Sequence, residues 1–199
     1  MINSDGGISI MSELRTNRIV PRDGLTSGTF NGGGVIQVRQ TVYTGVKSQS
    51  GAIATPLTDF EGVFSCSLTP TRSDSKILVE MNLVVSCAND YNIIMARIRR
   101  KIASGSFADL DGALGATADS RYRCTSATLG RYNQYSVMPM SMKYLDSPST
   151  TSACTYSFSL AHDSGSAINV YLNQGANDTS SYAYVPRTIS TITLTEITG

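Results

Sequence analysis

Between Lys76 and Ser86 the chain alternates strictly. Ile77, Val79, Met81, Leu83 and Val85 fall on one side, and Leu78, Glu80, Asn82, Val84 and Ser86 on the other. Successive side chains of an extended strand point to opposite faces, so this stretch has one wholly apolar face and one mixed face. Such a strand is stable only when its apolar face is buried against another layer. The same signal recurs at 35–42, 63–68, 91–102, 135–145, 154–160, 168–172 and 188–197, and more weakly within 103–130. Thr is frequent, which favours strands over helix interiors, and 17 Gly supply turns. No stretch carries a convincing 3.6-residue period. The expected fold is therefore all-β, an antiparallel β-sandwich of jelly-roll type over residues 35–199. Asn89-Asp90 reads as a tight hairpin turn between two strands. Pro139, inside the 135–145 strand, points to an edge position or a bulge.

Residues 1–34 read differently. Leu14, Ile19, Val20, Leu25 and Phe30 follow neither period, Pro21 and Asp23-Gly24 break regular structure, and Asn31-Gly32-Gly33-Gly34 gives a joint. The expectation is an extended attachment arm that orders against a partner. Leu14, Ile19, Val20 and Pro21 are its anchors, with Arg15, Arg18 and Arg22 as polar partners, and adding a strand to another protein's sheet edge is the fitting mode. The first ten residues lack the basic start and apolar run of a secretory signal, so folding in a cytosol is expected. Met11 reads as a second in-frame start, with residues 1–10 dispensable.

Charge narrows the function. The net charge is +1 and only 16% of residues are charged. Nucleic-acid binding needs a concentrated basic field, and no run approaches the length of a membrane-spanning helix. Neither partner is expected. A low charge fraction fits a surface partly buried against copies of itself. Cys66, Cys87, Cys124 and Cys154 form no close pair and show no zinc spacing, and are expected free. No cofactor or metal is expected.

Candidate chemistry is sparse. His162 is the only histidine and reads as a turn residue after a strand. Asp109-Leu110-Asp111-Gly112 resembles the start of a calcium loop, but Ala113 stands where a third ligand is wanted and Ser120 where the bidentate Glu belongs. A glycan-cleaving site would need two carboxylates, for which Glu61, Glu80 and Glu196 are the candidates. The basic run Arg97, Arg99, Arg100 and Lys101 reads mainly as a solvated strand face. Arg100 shares parity with Ile98 and Ile102, so it requires a carboxylate partner. Tyr91, Ile93, Met95, Arg97 and Arg99 share the second face of their strand. An apolar content on that face suggests it is covered by another subunit, so these five are the expected trimer interface.

The arm SELRTNRIVPRDGL (residues 12–25) and the stretches SKILVEMNLVVS (75–86), YLDSPSTTSACTYSFSL (144–160) and STITLTEI (190–197) resemble phage particle proteins of the tail-fibre-like or capsid-decoration type, especially those of cyanophages and marine phages. Their domain is similar in shape to the trimeric tumour necrosis factor jelly roll. The resemblance implies a non-enzymatic virion protein, assembled in the host cytoplasm, that forms a homotrimer and docks on other phage structural proteins through its arm. A tail-fibre or receptor-contact module ranks first, with host surface glycan as a ligand. A capsid decoration protein is the alternative, and a glycan-cleaving fibre enzyme comes third. Loops 103–130 and 173–186, at the ends of a sandwich, are where a contact surface is expected.

Overall fold

The structure, a computed structural model, describes residues 34–199. The arm residues Leu14, Arg15, Arg18, Ile19, Val20 and Pro21 lie outside the described residues.

Two antiparallel sheets pack face to face. The six-stranded sheet contains β1 (Val35–Tyr43), β2 (Lys47–Gly51), β4 (Lys76–Cys87), β8 (Met138–Asp146), β10 (Ile168–Leu172) and β11 (Ser190–Ile197). The five-stranded sheet contains β3 (Cys66–Leu68), β5 (Ile93–Ile102), β6 (Ala108–Asp109), β7 (Ser126–Leu129) and β9 (Cys154–His162). The all-β sandwich read from the sequence is therefore the fold.

The alternation decides what is inside. Ile77, Val79, Met81, Leu83 and Val85 of β4 are buried, and they meet Ile94, Ala96 and Ile98 of β5 and Tyr156, Phe158 and Leu160 of β9 across the core. Ile192 and Leu194 of β11, with Met140 and Met142 of β8, extend the same layer. Burying one such side chain is worth about 1.5–3 kcal/mol, so β4 alone anchors much of the sheet. Cys66, Cys87 and Cys154 are free and buried within this core, and Cys124 is free and half-buried. Their thiols are pushed up by burial, which keeps them as small apolar fillers.

Three sequence expectations change. Asn89-Asp90 does not close a hairpin: β4 and β5 lie in different sheets, and the short connection carries the chain from one layer to the other. A polar turn between two alternating strands is common to both arrangements. What separates them is where the apolar faces go, and here those of β4 and β5 oppose each other across the core. The 63–68 strand is shorter than expected. Residues 60–64 form a single turn, with Phe64 N–H donating to Phe60 O at 2.9 Å, and it drops Phe60 and Phe64 into the core. Residues 47–51, which show no apolar alternation, nevertheless form β2 beside β10. Pro139 sits where it was expected. On β8 it pairs with Val84 of β4, and β8 has no second strand partner among the described residues. A residue without an N–H costs no ladder bond there.

Candidate interaction surfaces

The outward faces of the two sheets differ. On the five-stranded sheet, Arg97 and Arg99 project from β5 and are enclosed by the chain itself. Arg97 donates from Nε to Arg123 O at 2.7 Å and from Nη1 to Asp109 Oδ2 at 2.6 Å, and its guanidinium lies 3.9 Å from the centre of the Tyr122 ring. Arg99 pairs with Glu61, reaches Asp109 Oδ1 at 2.9 Å and donates to Phe107 O at 2.9 Å. Segments 103–125 and 58–62 thus fold over this face, and both side chains are largely out of water. Burial raises the Glu61 carboxyl, and Arg99 offsets this only in part.

Over the outer face of the six-stranded sheet, no described segment folds in this way. The register aligns Val38, Thr195, Leu78 and Leu145 in one row, Gln40, Thr193, Glu80 and Lys143 in the next, and Val42, Thr191, Asn82 and Ser141 in a third. Val38 is 54% exposed, Val42 46% and Leu145 45%. Val35 and Ile36 extend the apolar row to the start of β1 and are also exposed. The charges in the three rows are Glu80 and Lys143, which pair at 2.8 Å, and Lys76 stands beside Ile197 at the margin of the face.

A third surface lies at one end of the sandwich, where loops 88–92, 130–137 and 173–187 meet. Asn173 carries a positive φ of 63°, which Asn tolerates. Its buried amide donates to Tyr43 O and Gly45 O, both at 2.9 Å, and accepts from Ser190 Oγ at 2.6 Å. Gly175 passes so close to Gln134 O and Tyr135 O that a Cβ would sit 3.1–3.2 Å from them. Asn177 N–H then donates to Gln134 O at 2.8 Å. Tyr91 N–H donates to Arg131 O at 3.0 Å, and Arg131 is itself paired to Asp90 at 2.8 Å. On this frame stand five tyrosines: Tyr91, Tyr132, Tyr135, Tyr182 and Tyr184. Tyr182 and Tyr184 stack at 5.1 Å and 14°, while Tyr135 meets both edge-on at 6.0 and 5.3 Å. Tyr91 meets Tyr132 edge-on at 6.3 Å.

The residues singled out in the sequence scatter across these surfaces. Tyr91 is not on the face of β5. Its φ of 63° places it in the crossover, where the alternation is interrupted, and its ring joins the loop end. Ile93 and Met95 do face outward with Arg97 and Arg99, half-buried. Arg100 has its carboxylate: Asp146 Oδ2 at 2.5 Å, which also accepts from the buried Tyr156 hydroxyl at 2.7 Å. Burial and Asp146 together push that phenol up. His162 is not a turn residue. It closes β9 with no exposure, Nε2 facing Gly51 O at 2.8 Å and Nδ1 accepting from Ser164 N–H at 3.2 Å, so both nitrogens are occupied. Asp109 is taken by Arg97 and Arg99, and Asp111 is exposed.

Each candidate glutamate also has its own partners. Glu61 holds Arg99 and Glu80 holds Lys143. Glu196 is buried, and accepts from Gln37 Nε2, Thr71 N and Thr71 Oγ1, each at 2.7 Å. Burial raises its carboxyl, but these hydrogen bonds outweigh that and leave it below the ordinary carboxylate range. Beside it, a cleft of about 350 Å³ between β1 and β3 is lined by Gln37, Arg39, Ser67, Leu68 and Thr69. Sequence reasoning missed the tyrosine end as a unit. Its signal was the tyrosine pairs near 132–135 and 182–184 within otherwise polar loops.

The architecture defines the class, a two-layer antiparallel β-sandwich. No family description matches the chain, and no curated protein does. Among solved structures, one match is "Structure of infectious bursal disease virus Gx strain" at 11% identity and a TM-score of 0.37. The aligned region covers 82% of this chain and 41% of that one, so the chain spans about two fifths of its length.

Proposed function

We propose that this protein is a non-enzymatic structural module of a phage particle, self-associating as a trimer, docked through residues 12–25 and turned outward to contact the host. The observation that supports it most is the outer face of the six-stranded sheet, which no described segment covers. A lone subunit would leave Val38, Val42 and Leu145 in water around one self-neutralised ion pair. A second copy of the chain fits there, because the three central rows carry no net charge to repel it, and Lys76 stands only at their margin beside Ile197. The size is also adequate. Four strands at ~4.8 Å spacing and about eight residues at ~3.4 Å rise give a footprint of roughly 500 Å² before side-chain relief is counted. Specific interfaces bury about 800 Å² per partner, so this face with its flanking edges approaches that size. Association would also shield the edges of β1 and β8, which have no second strand partner among the described residues.

The sequence resemblance supplies the particle context, and three joined copies would raise the avidity of a weak host contact. Light scattering on the purified chain tests the reading. The expected mass is three times the 21.3 kDa of one chain. A single-chain mass across micromolar concentrations would overturn it. Capsid decoration remains the second reading, favoured by the same weakly charged face. Binding to intact host cells supports the contact module, and binding only to isolated shells supports decoration.

A further inference from the structure

We infer that the tyrosine-rich loop end is a carbohydrate-binding site whose ligand is a neutral glycan. The inference rests on the reading of the domain as a host-contact module, and adds the chemical class of what it contacts.

Four of the five rings are unusually open: Tyr91 is 68% exposed, Tyr132 58%, Tyr182 45% and Tyr184 63%. Aromatic faces carry negative quadrupole density and pack best against polarised C–H groups. A pyranose ring offers such groups on one face and hydroxyls around its rim. The loops answer both. The rings supply platforms, and the side chains of Gln134, Asn177, Ser180 and Ser181 on the same loops can both donate and accept, while the Asn133 amide can donate. This mixture of Tyr, Ser and Asn is the one that paratopes use, because a tyrosine gives much contact area at low entropic cost.

The platform is held before any ligand arrives. Asn133 Oδ1 accepts from Tyr135 N–H and Ser136 N–H at 3.0 and 3.1 Å, while Ser136 Oγ accepts from Tyr132 N–H at 3.0 Å. Tyr135 stands as an edge-on wall against the stacked pair.

Charge selects the ligand class. The three loops carry four charged side chains, and all four pair off. Asp178 accepts from Arg187 Nε at 2.8 Å and Nη2 at 2.5 Å, and Asp90 pairs with Arg131. No guanidinium among the four is left to capture a carboxylate or sulfate. An acidic polysaccharide would find no counter-charge on these loops, whereas a neutral sugar requires none.

The test uses the full chain on an array that carries neutral hexose oligosaccharides beside sialylated, sulfated and uronate-containing ones. Retention on neutral glycans is expected. Because the chain has no Trp, tyrosine emission then follows titration with the retained oligosaccharide in solution. Y182A/Y184A is expected to weaken binding by at least about tenfold, since two stacking faces are lost. Y184F keeps the ring and is expected to stay within about threefold. Unchanged thermal unfolding of both variants shows that the loss is at the site. Retention of acidic glycans alone overturns the inference. So does failure to retain any glycan, or binding that the double variant leaves intact. A trimer that binds host cells yet ignores every glycan sinks the ligand class and leaves the contact-module reading standing. A monomeric chain that still binds neutral glycan does the reverse.

Discussion

The two outer faces of the sandwich solve the same problem in opposite ways. Each belongs to a sheet whose inner face is fully committed to the core. On the five-stranded sheet, the chain spends residues 103–125 on covering β5. The price is a set of ion pairs that must all be made, because Arg97 and Arg99 lie mostly out of water. On the six-stranded sheet, no described segment crosses β1, β11, β4 and β8, and the outward residues of the three rows are Val, Leu, Thr, Gln, Asn, Ser and one ion pair. Buried charge without a partner is costly, whereas exposed Val and Thr cost little until a partner arrives. The covered face is therefore built for one chain, and the bare face tolerates either water or a second copy.

The largest expected effect breaks the bare face. V38D/L145D places two carboxylates in its apolar row. Light scattering is expected to show the mass fall to one chain, with the unfolding midpoint of the monomer nearly unchanged, since both side chains already meet water. If the double variant keeps the wild-type mass, association lies elsewhere, and the face of β5 with Ile93 and Met95 becomes the place to look.

The covered face should respond in the opposite sense. R99A leaves Glu61 without its cation and Asp109 with one guanidinium fewer. Fully buried pairs cost 3–5 kcal/mol when one partner is removed, and the residual exposure here lowers that to about 2–3 kcal/mol. Urea unfolding is expected to show this loss, with the oligomeric mass unchanged. A loss under 0.5 kcal/mol would show that loop 103–125 contributes no stability through these arginines.

This contrast also marks what the sequence could and could not reveal. Strands with clean alternation, such as β4 and β9, were legible because their period directly reports a buried face. Arg100 was legible too, since its parity placed a charge among Ile98 and Ile102, and only a carboxylate such as Asp146 could make that tolerable. The covering of Arg97 was not legible. Residues 103–125 have little periodicity, and what fixes them is Asp109 and Tyr122 meeting arginines through side-chain geometry. Nor was the layer to which β5 belongs, because the same Asn89-Asp90 turn serves a hairpin or a crossover. The tyrosine end depended on three loops converging, which local pattern does not encode.

A smaller effect separates two carboxylates by pH. Glu196 is held below its ordinary value of 4.5 in the fold, so its contribution to stability is present above that value and is lost as pH falls through the folded value. Glu61 is raised from 4.5, so its folded form holds a proton longer, and stability declines as pH rises from 4.5 through the folded value. E196Q is expected to be less stable than wild type at pH 7, with the gap closing under acid. The check is the urea midpoint at pH 7 and at about pH 3. A gap that widens in acid would mean that Gln37 and Thr71 do not favour the ionised form.

The smallest effect is the most discriminating. Lys143 and Glu80 are 65% and 37% exposed in the single chain, and pairs of that kind are worth about 0–1 kcal/mol. K143A should therefore leave the unfolding midpoint of a dissociated chain, such as the V38D/L145D background, almost where it was. In an assembled trimer the same substitution would strand Glu80 inside an interface, where an unpaired charge costs several times more. Comparing K143A in the wild-type and dissociated backgrounds measures that difference directly. A destabilisation that appears only in the associating form would place Glu80 within the contact between copies. Equal effects in both would leave that pair in water, and the bare face would be bare in the particle as well.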